Sequence, residues 1–404
     1  MTATAPSIEF NPLSPEFIRD PYPTYRRLRE AAPVYRTAFG PYLATRYADV
    51  AAVLRDKRFG KDFEARIIKR HGAKVFDEPI YDSVRRWMLE RDPPDHTRLR
   101  GLVVKAFTAR TVEDMRPRIQ AIVDATLDRV APEGRMDVIR DFAYPLPVTV
   151  ICEMLGIPEE DREQFRRTDG VGGRLLDPVP LTRAEIDIAN ASHLKQAAYF
   201  HSLFEKRRRE PGDDLITLLV QAEEAGNKLS EAELTANIML LFGAGHETTV
   251  NLIGNGLLAL HRNPGQLDLL KRDPSLMPNA IEELLRYDSS VQLTGRAALE
   301  DVEIGGVMIE KGEGIMCLLG AANRDPDVFP DPDKLDVTRP NVRPLSFGGG
   351  IHFCLGAQLA RIEAEIALNS LLARLPKLKL ETLEDPAWRP TFVLRGLTSL
   401  PARW

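Results

Sequence analysis

Hydrophobic and polar positions follow a helical period over much of the chain and a period of two over a shorter stretch after residue 288. The strongest helical signal begins at Ser230. Ser230 and Glu233 have the spacing of a capping box, and the apolar pattern continues to His261 before Pro264 ends it. At ~1.5 Å per residue, such a helix of roughly thirty residues spans on the order of 45 Å, about the width of the whole molecule. From Leu234 to Gly245 it carries no charge, so it is expected to be buried on nearly every side.

Helical patterning also runs almost without break from Val112 to Gln221, with pauses at Pro132-Glu133-Gly134, Pro158 and residues 177–180. The glycine-rich DGVGGRLLDPVP, residues 169–180, reads as a connection between helices, either an ordinary loop or a mobile lid. Residues 34–37 and 42–45 read as a hairpin around Gly40-Pro41, followed by a helix over 48–54. Residues 55–92 lack a clear period, which predicts loops and short helices. Their aromatics, Phe59, Phe63, Phe76, Tyr81 and Trp87, serve either packing or ligand lining. Pro93 and Pro94 stop that stretch, Asp95 is placed to cap, and a helix is expected from His96 to Phe107. Further on, residues 302–304 and 307–309 flank Gly305-Gly306, a two-residue hairpin signal. KLKLE and TFVLRG near the end are strand-like, with Phe392, Val393 and Leu394 placed to reach a cavity. A last helical pattern, LGAQLARIEAEIALNSLLARL, ends at Leu375.

Composition narrows the class. Charged residues at 28% and hydrophobic ones at 44% are those of a soluble globular protein, and a net charge of −5 gives no support for a nucleic-acid partner. No run of about eighteen apolar residues predicts a membrane span. MTATAPSIEF has neither the basic nor the apolar region of a secretory signal, so a cytoplasmic protein is expected. Three cysteines are too few and too scattered for a disulfide framework. Cys152 in VTVICEMLG and Cys317 in GIMCLLG read as core.

Cys354 is different. It lies in FGGGIHFCLG, where a loop with three consecutive glycines, Gly348 to Gly350, turns into a helix. Glycines let the backbone approach a flat object closely, and a thiolate at a helix N-terminus is stabilised by its unpaired N–H groups. Such a sulfur suits a nucleophile, with His352 as its base, or a metal ligand; no companion Cys or His stands at zinc spacing. In DPPDHTRLR, His96 and Arg100 share one helix face and Arg98 points elsewhere, which suits an anionic ligand or a solvated basic face. AGHETT, residues 244–249, sets polar groups in the buried helix. A carboxylate there, Glu247, needs a structural network or a catalytic role. Glu283 and Arg286 in EELLR are three apart, as in ordinary helix pairs worth a few tenths of a kcal/mol.

The motif F-x-x-G-x-H-x-C-x-G, with AGHETT, ELLR and NRDP before it in that order, resembles the cytochrome P-450 family over essentially the whole chain. The resemblance implies a mainly α fold with a smaller β-rich part, as a single domain over residues 1–404. The type is the soluble bacterial one, with no fused reductase and no membrane anchor. Haem b would lie between the AGHETT helix and the Cys354 loop, with Cys354 as the iron ligand. Phe347, Gly356, Ala244 and Gly245 would border it, and His96, Arg100, Arg296 and His352 would hold its propionates. Glu247 and Thr248 would be an acid–alcohol pair passing protons to dioxygen, at a kink of the long helix, with His246 turned away. Glu283 and Arg286 would be a structural pair. Leu240, Gly243, Ala244, Val291, Leu293, Val393 and Leu394 would line the substrate pocket. The implied activity is a haem-thiolate monooxygenase that takes dioxygen and two electrons from a ferredoxin and its reductase, with Lys105 and Arg110 as candidate docking cations. The implied substrate is a medium-to-large, mainly apolar molecule of polyketide, terpenoid or steroid type. Alternatives are an oxidative-coupling or peroxide-driven haem-thiolate enzyme, or a monooxygenase of small aromatic acids anchored by Arg66, Arg70 or Arg85. A non-catalytic haem sensor would want an appended signalling domain.

Overall fold

Ser230 starts the longest described helix. The computed structural model describes residues 10–38, 40–165, 172–224 and 229–404, and in it this helix runs Glu231–Arg262. The capping box is complete: Glu233 N–H donates to Ser230 Oγ (3.2 Å) and Ser230 N–H to Glu233 Oε2 (2.9 Å). The helix packs against Pro145–Leu155, Met277–Tyr287 and Ala357–Arg374, and residues such as Ile238, Ile253 and Leu257 are fully buried. Burial stops at Gly243 and Ala244, which are open although they lie mid-helix. The expected kink is not a break, since AGHETT stays α-helical throughout. No helix among the described residues is long and apolar enough to cross a membrane.

The β-rich part is a five-stranded sheet in the order Val34–Arg36, Tyr42–Ala44, Gly314–Leu318, Leu293–Ala298, Phe59–Gly60. Its pairings are antiparallel except that between Tyr42–Ala44 and Gly314–Leu318. The Val302–Ile304 and Val307–Ile309 hairpin turns at Gly305 and Gly306 with φ of +56° and +79°, a turn that demands positive φ at both positions.

Several expectations need correction. Asp95 does not cap its helix. Asp95–Val103 is α-helical from Asp95 itself, behind Pro94, and the carboxylate accepts instead from Arg98 (3.0 Å). Val104–Phe107 continues as a 3-10 turn. The stretch 112–221 contains a strand, Arg135–Asp137, paired with Pro401–Arg403, and a π-helical turn, Val138–Ala143. Asp137 starts that turn by accepting from Ile139 N–H (2.9 Å). TFVLRG is not a strand: Leu394 alone bridges to Val291, while Phe392 and Val393 donate their N–H groups to Asp177 Oδ1 (3.1 and 2.8 Å). Residues 55–92 do form short helices, Phe63–His71 and Pro79–Val84 among them. Of the glycine-rich connection, residues 169–171 lie outside the described residues, and Gly172–Leu176 is a 3-10 turn. Residues 1–9, on which the secretory-signal reading partly rests, are also outside them.

Candidate active site

A cavity of about 520 Å³ joins the Cys354 loop to the central helix. Phe347, His352, Cys354 and Gly356 line it from the loop. Leu240, Gly243, Ala244, Gly245, Glu247 and Thr248 line it from the helix. His96 and Arg100 come from Asp95–Val103, Arg296 and Leu293 from the sheet, and Val291, Val393 and Leu394 from the bridged loops.

Glycine shapes the Cys354 loop through protein contact. Gly348 and Gly350 have φ of +70° and +64°. A Cβ on Gly350 would lie 2.1 Å from the carbonyl oxygen of Leu54, and one on Gly349 would lie 3.2 Å from Leu54 Cβ. At Gly349 and Gly350 the loop thus lies against the end of the Tyr47–Arg55 helix, while Gly348 lines the cavity. Cys354 N–H donates to Phe347 O (3.0 Å), and its side chain opens into the cavity. Cys354 is exposed to the cavity; desolvation by the protein packed behind it raises its thiol pKa, while the Gly356 N–H, Arg100 and Arg361 lower it. Cys152 and Cys317 are buried, and Cys317 is pushed up to about 12 by burial.

Beside Cys354 lies a crowd of positive charge. Arg100 Nη2 donates to Phe353 O (2.7 Å), Arg296 Nη1 donates to Gly295 O (2.8 Å), and the His96 and His352 rings lie 4.4 Å apart. Burial, with the neighbouring cations adding to it, pushes His352 down to about 2 and lowers His96 as well. Both are therefore neutral hydrogen-bonding groups, and His96 Nδ1 and His352 Nε2 are buried with no hydrogen-bond partner among the described residues. Lys61, 3% exposed, joins them. Its Nζ is 3.5 Å from Glu90 Oε1, and burial pushes it down to about 8. Three cationic side chains, Lys61, Arg100 and Arg296, line this part of the cavity against one carboxylate, Glu90. The excess of two positive charges and the orphaned ring nitrogens fit a ligand that brings two carboxylates.

On the central helix Thr248 Oγ1 donates to Ala244 O (3.0 Å). Glu247 Oε1 lies 3.6 Å from Arg389 Nη1; burial raises its carboxyl pKa, and Arg389 opposes. His246 Nδ1 donates to Phe242 O (2.8 Å), and its ring packs on Tyr144 and Phe242. From the helix after the Cys354 loop, Glu363 lines the cavity beside Thr249. It is 1% exposed and pushed up to about 8 by burial.

The comparisons with known proteins agree with this layout. The family model described as Cytochrome P450 matches residues 21–395. The chain belongs to the cytochrome P450 family. It is 47% identical to Cytochrome P450 107B1 of Saccharopolyspora erythraea, over 96% of each chain. It is 44% identical to the Vitamin D(3) 25-hydroxylase of Pseudonocardia autotrophica, over 95% of this chain and 94% of that one. Among solved structures, the bacillaene polyketide synthase cytochrome P450 PksS of Bacillus subtilis 168 superposes with a TM-score of 0.87. That protein is 41% identical, over 98% of this chain and 99% of its own. The P450 fold, mainly α with smaller sheets, is thus established. So is the class: a cytochrome P450 monooxygenase, an oxidoreductase using haem iron, oxygen, a small-molecule substrate and redox partners.

Within this P450, Glu283 and Arg286 are not an exposed helix pair. Both are fully buried, bonded through two contacts (2.6 and 2.7 Å), and Arg339 joins the same carboxylate at 3.2 Å. Arg286 also holds the carbonyls of Asn323, Pro332 and Lys334, so the triad anchors the irregular stretch before the Cys354 loop. The anchors expected for a small acid do not line the cavity. Arg66 Nε bonds Lys61 O (2.7 Å), Arg85 lies over the Phe76 ring, and Arg70 is exposed. Phe392 packs on Phe10 and Phe17 instead of reaching the cavity, while Trp87 lines it. Sequence reasoning missed Lys61, Arg389, Arg339 and Glu363. For Glu363 a signal existed: Leu359, Ile362, Ile366 and Ala367 form an apolar stripe, and Glu363 sits inside it. The other three lie in stretches without periodicity.

Proposed function

We propose that the chain is a haem b monooxygenase of a medium-to-large, mainly apolar secondary metabolite, of polyketide, terpenoid or steroid type, acting as one domain in the cytoplasm. The observation that carries this is the shared cavity: Cys354 and a cation cluster at one part, Glu247, Thr248 and an apolar wall at another. Cys354 is the iron ligand, and His96, Arg100, Arg296 and His352, with Lys61, hold the propionates. When bound, haem iron supplies the reduction of dioxygen and the insertion of one oxygen atom into a substrate C–H bond. Thr248 Oγ1 holds a proton within reach of the cavity, and Glu247 resupplies it. Gly243, Ala244 and Gly245 leave room beside the ligand, while Leu240, Val291, Leu293, Val393 and Leu394 exclude water and orient an apolar substrate.

Relatives named for vitamin D(3) hydroxylation and for a polyketide synthase support the substrate class. So does the absence of Arg66, Arg70 and Arg85 from the cavity wall. Electrons come from a ferredoxin and its reductase, with exposed Lys105 and Arg110 as docking cations. The test is a compound screen by haem absorption, followed by product analysis with a reconstituted electron chain. Steroids and macrolactones should bind and be hydroxylated; binding confined to small carboxylates would overturn the substrate class.

A further inference from the structure

Arg389 takes no part in the relay described above, yet it is the one cation among the described residues within ion-pair distance of Glu247, at 3.6 Å. Arg389 is itself fixed: its N–H donates to Gly396 O (2.9 Å) and its Nε to Leu397 O (3.3 Å). The loop that follows is held from several sides. Asp177 accepts from Phe392 and Val393, Gln292 N–H donates to Val393 O (2.8 Å), and Arg395 N–H donates to Ser290 O (2.8 Å). Gly173 covers the same carboxylate, for a Cβ there would lie 3.2 Å from Glu247 Oε1. Val393 and Leu394 of this loop line the cavity alongside Glu247 and Arg389.

We propose that Arg389 is the positioning residue of Glu247, pairing with its carboxylate from the tethered C-terminal loop and so setting how far it reaches toward Thr248. The inference rests on the reading of Glu247 as part of the relay. A guanidinium stays charged at any working pH, so it acts as a constant field on the carboxylate. The other groups around Glu247 do not replace it. Burial favours the protonated form, and Asp177 pushes in the same direction. His246, next along the helix, is neutral from burial and bonded to Phe242.

The experiment is an infrared pH titration of the haem-loaded enzyme, with Glu247→Gln subtracted to isolate the Glu247 carboxyl. In Arg389→Met the carboxyl should ionise at a pH higher by about half a unit or more, roughly threefold in proton affinity, and Arg389→Lys should restore it. In parallel, peroxide released per electron pair from a ferredoxin system, without substrate, should change in Arg389→Met and shift with pH in the same sense. The double variant with Glu247→Gln should match Glu247→Gln alone. An unshifted titration in Arg389→Met, or an equal effect of that change in the Glu247→Gln background, overturns the proposal. A Glu247→Gln enzyme with wild-type peroxide yield overturns the relay itself. That failure is told apart because the infrared shift in Arg389→Met remains.

Discussion

Cys354 is the residue on which the proposed chemistry turns, and its loop is specific enough to be read before any coordinates. Cys354→Ala should remove the thiolate signature from the reduced, carbon-monoxide-bound spectrum, since Cys152 and Cys317 are buried in the core. A red-shifted band retained in the variant would refute the ligand assignment. Thr248→Ala should keep haem and substrate binding and lower the product formed per reduced nicotinamide about tenfold or more; coupling equal to wild type would refute the relay. Glu363 supplies a pH test. Its folded pKa, about 8, lies above the ordinary carboxyl value, so the folded chain keeps a proton that the unfolded chain loses first. Its contribution is full below the ordinary value and falls as pH rises toward about 8, by about 1.4 kcal/mol per pH unit. Glu363→Gln should flatten that part of the stability profile, measured as urea midpoint against pH. An unchanged slope would mean that the folded chain holds Glu363 ionised. Motif residues were legible because several of them recur at fixed spacing. Lys61 and Arg389 were not, because what marks them is a neighbour distant in sequence, Arg296 for one and Glu247 for the other.

Elements differ in the same way. The central helix was readable end to end from its capping box and its uncharged run, because both are local. Arg135–Asp137 was not, since a strand that pairs with Pro401–Arg403 leaves no mark on its own periodicity. Nor could composition tell that TFVLRG would give its N–H groups to the Asp177 carboxylate instead of to a sheet. The glycine loop was legible as a loop, but the packing of Gly350 on Leu54 was not. Gly350→Ala tests that packing. At φ +64° and with Leu54 O 2.1 Å from the new Cβ, the variant should lose on the order of 1–3 kcal/mol in denaturant unfolding. Gly356→Ala meets nothing within 4 Å and should cost less. Equal losses would remove the Leu54 contact as the cause.

At the scale of the molecule, the family and the fold class followed from the order of four motifs, whereas the cavity's walls are assembled from every part of the chain. Its charge balance is a property of the assembly, not of any segment. Arg296→Leu removes one of the two surplus cations, so haem should pass to a competing apoprotein about tenfold faster or more. Wild-type transfer would exclude Arg296 from the propionate site. Asp177 has a different consequence, one of timing. The residues it grips, Phe392 and Val393, and the strand Pro401–Arg403 leave the ribosome after Cys354, His96 and the central helix have all been made. This wall of the cavity is therefore the last to be made, and the pocket is not complete until residue 394 has been synthesised.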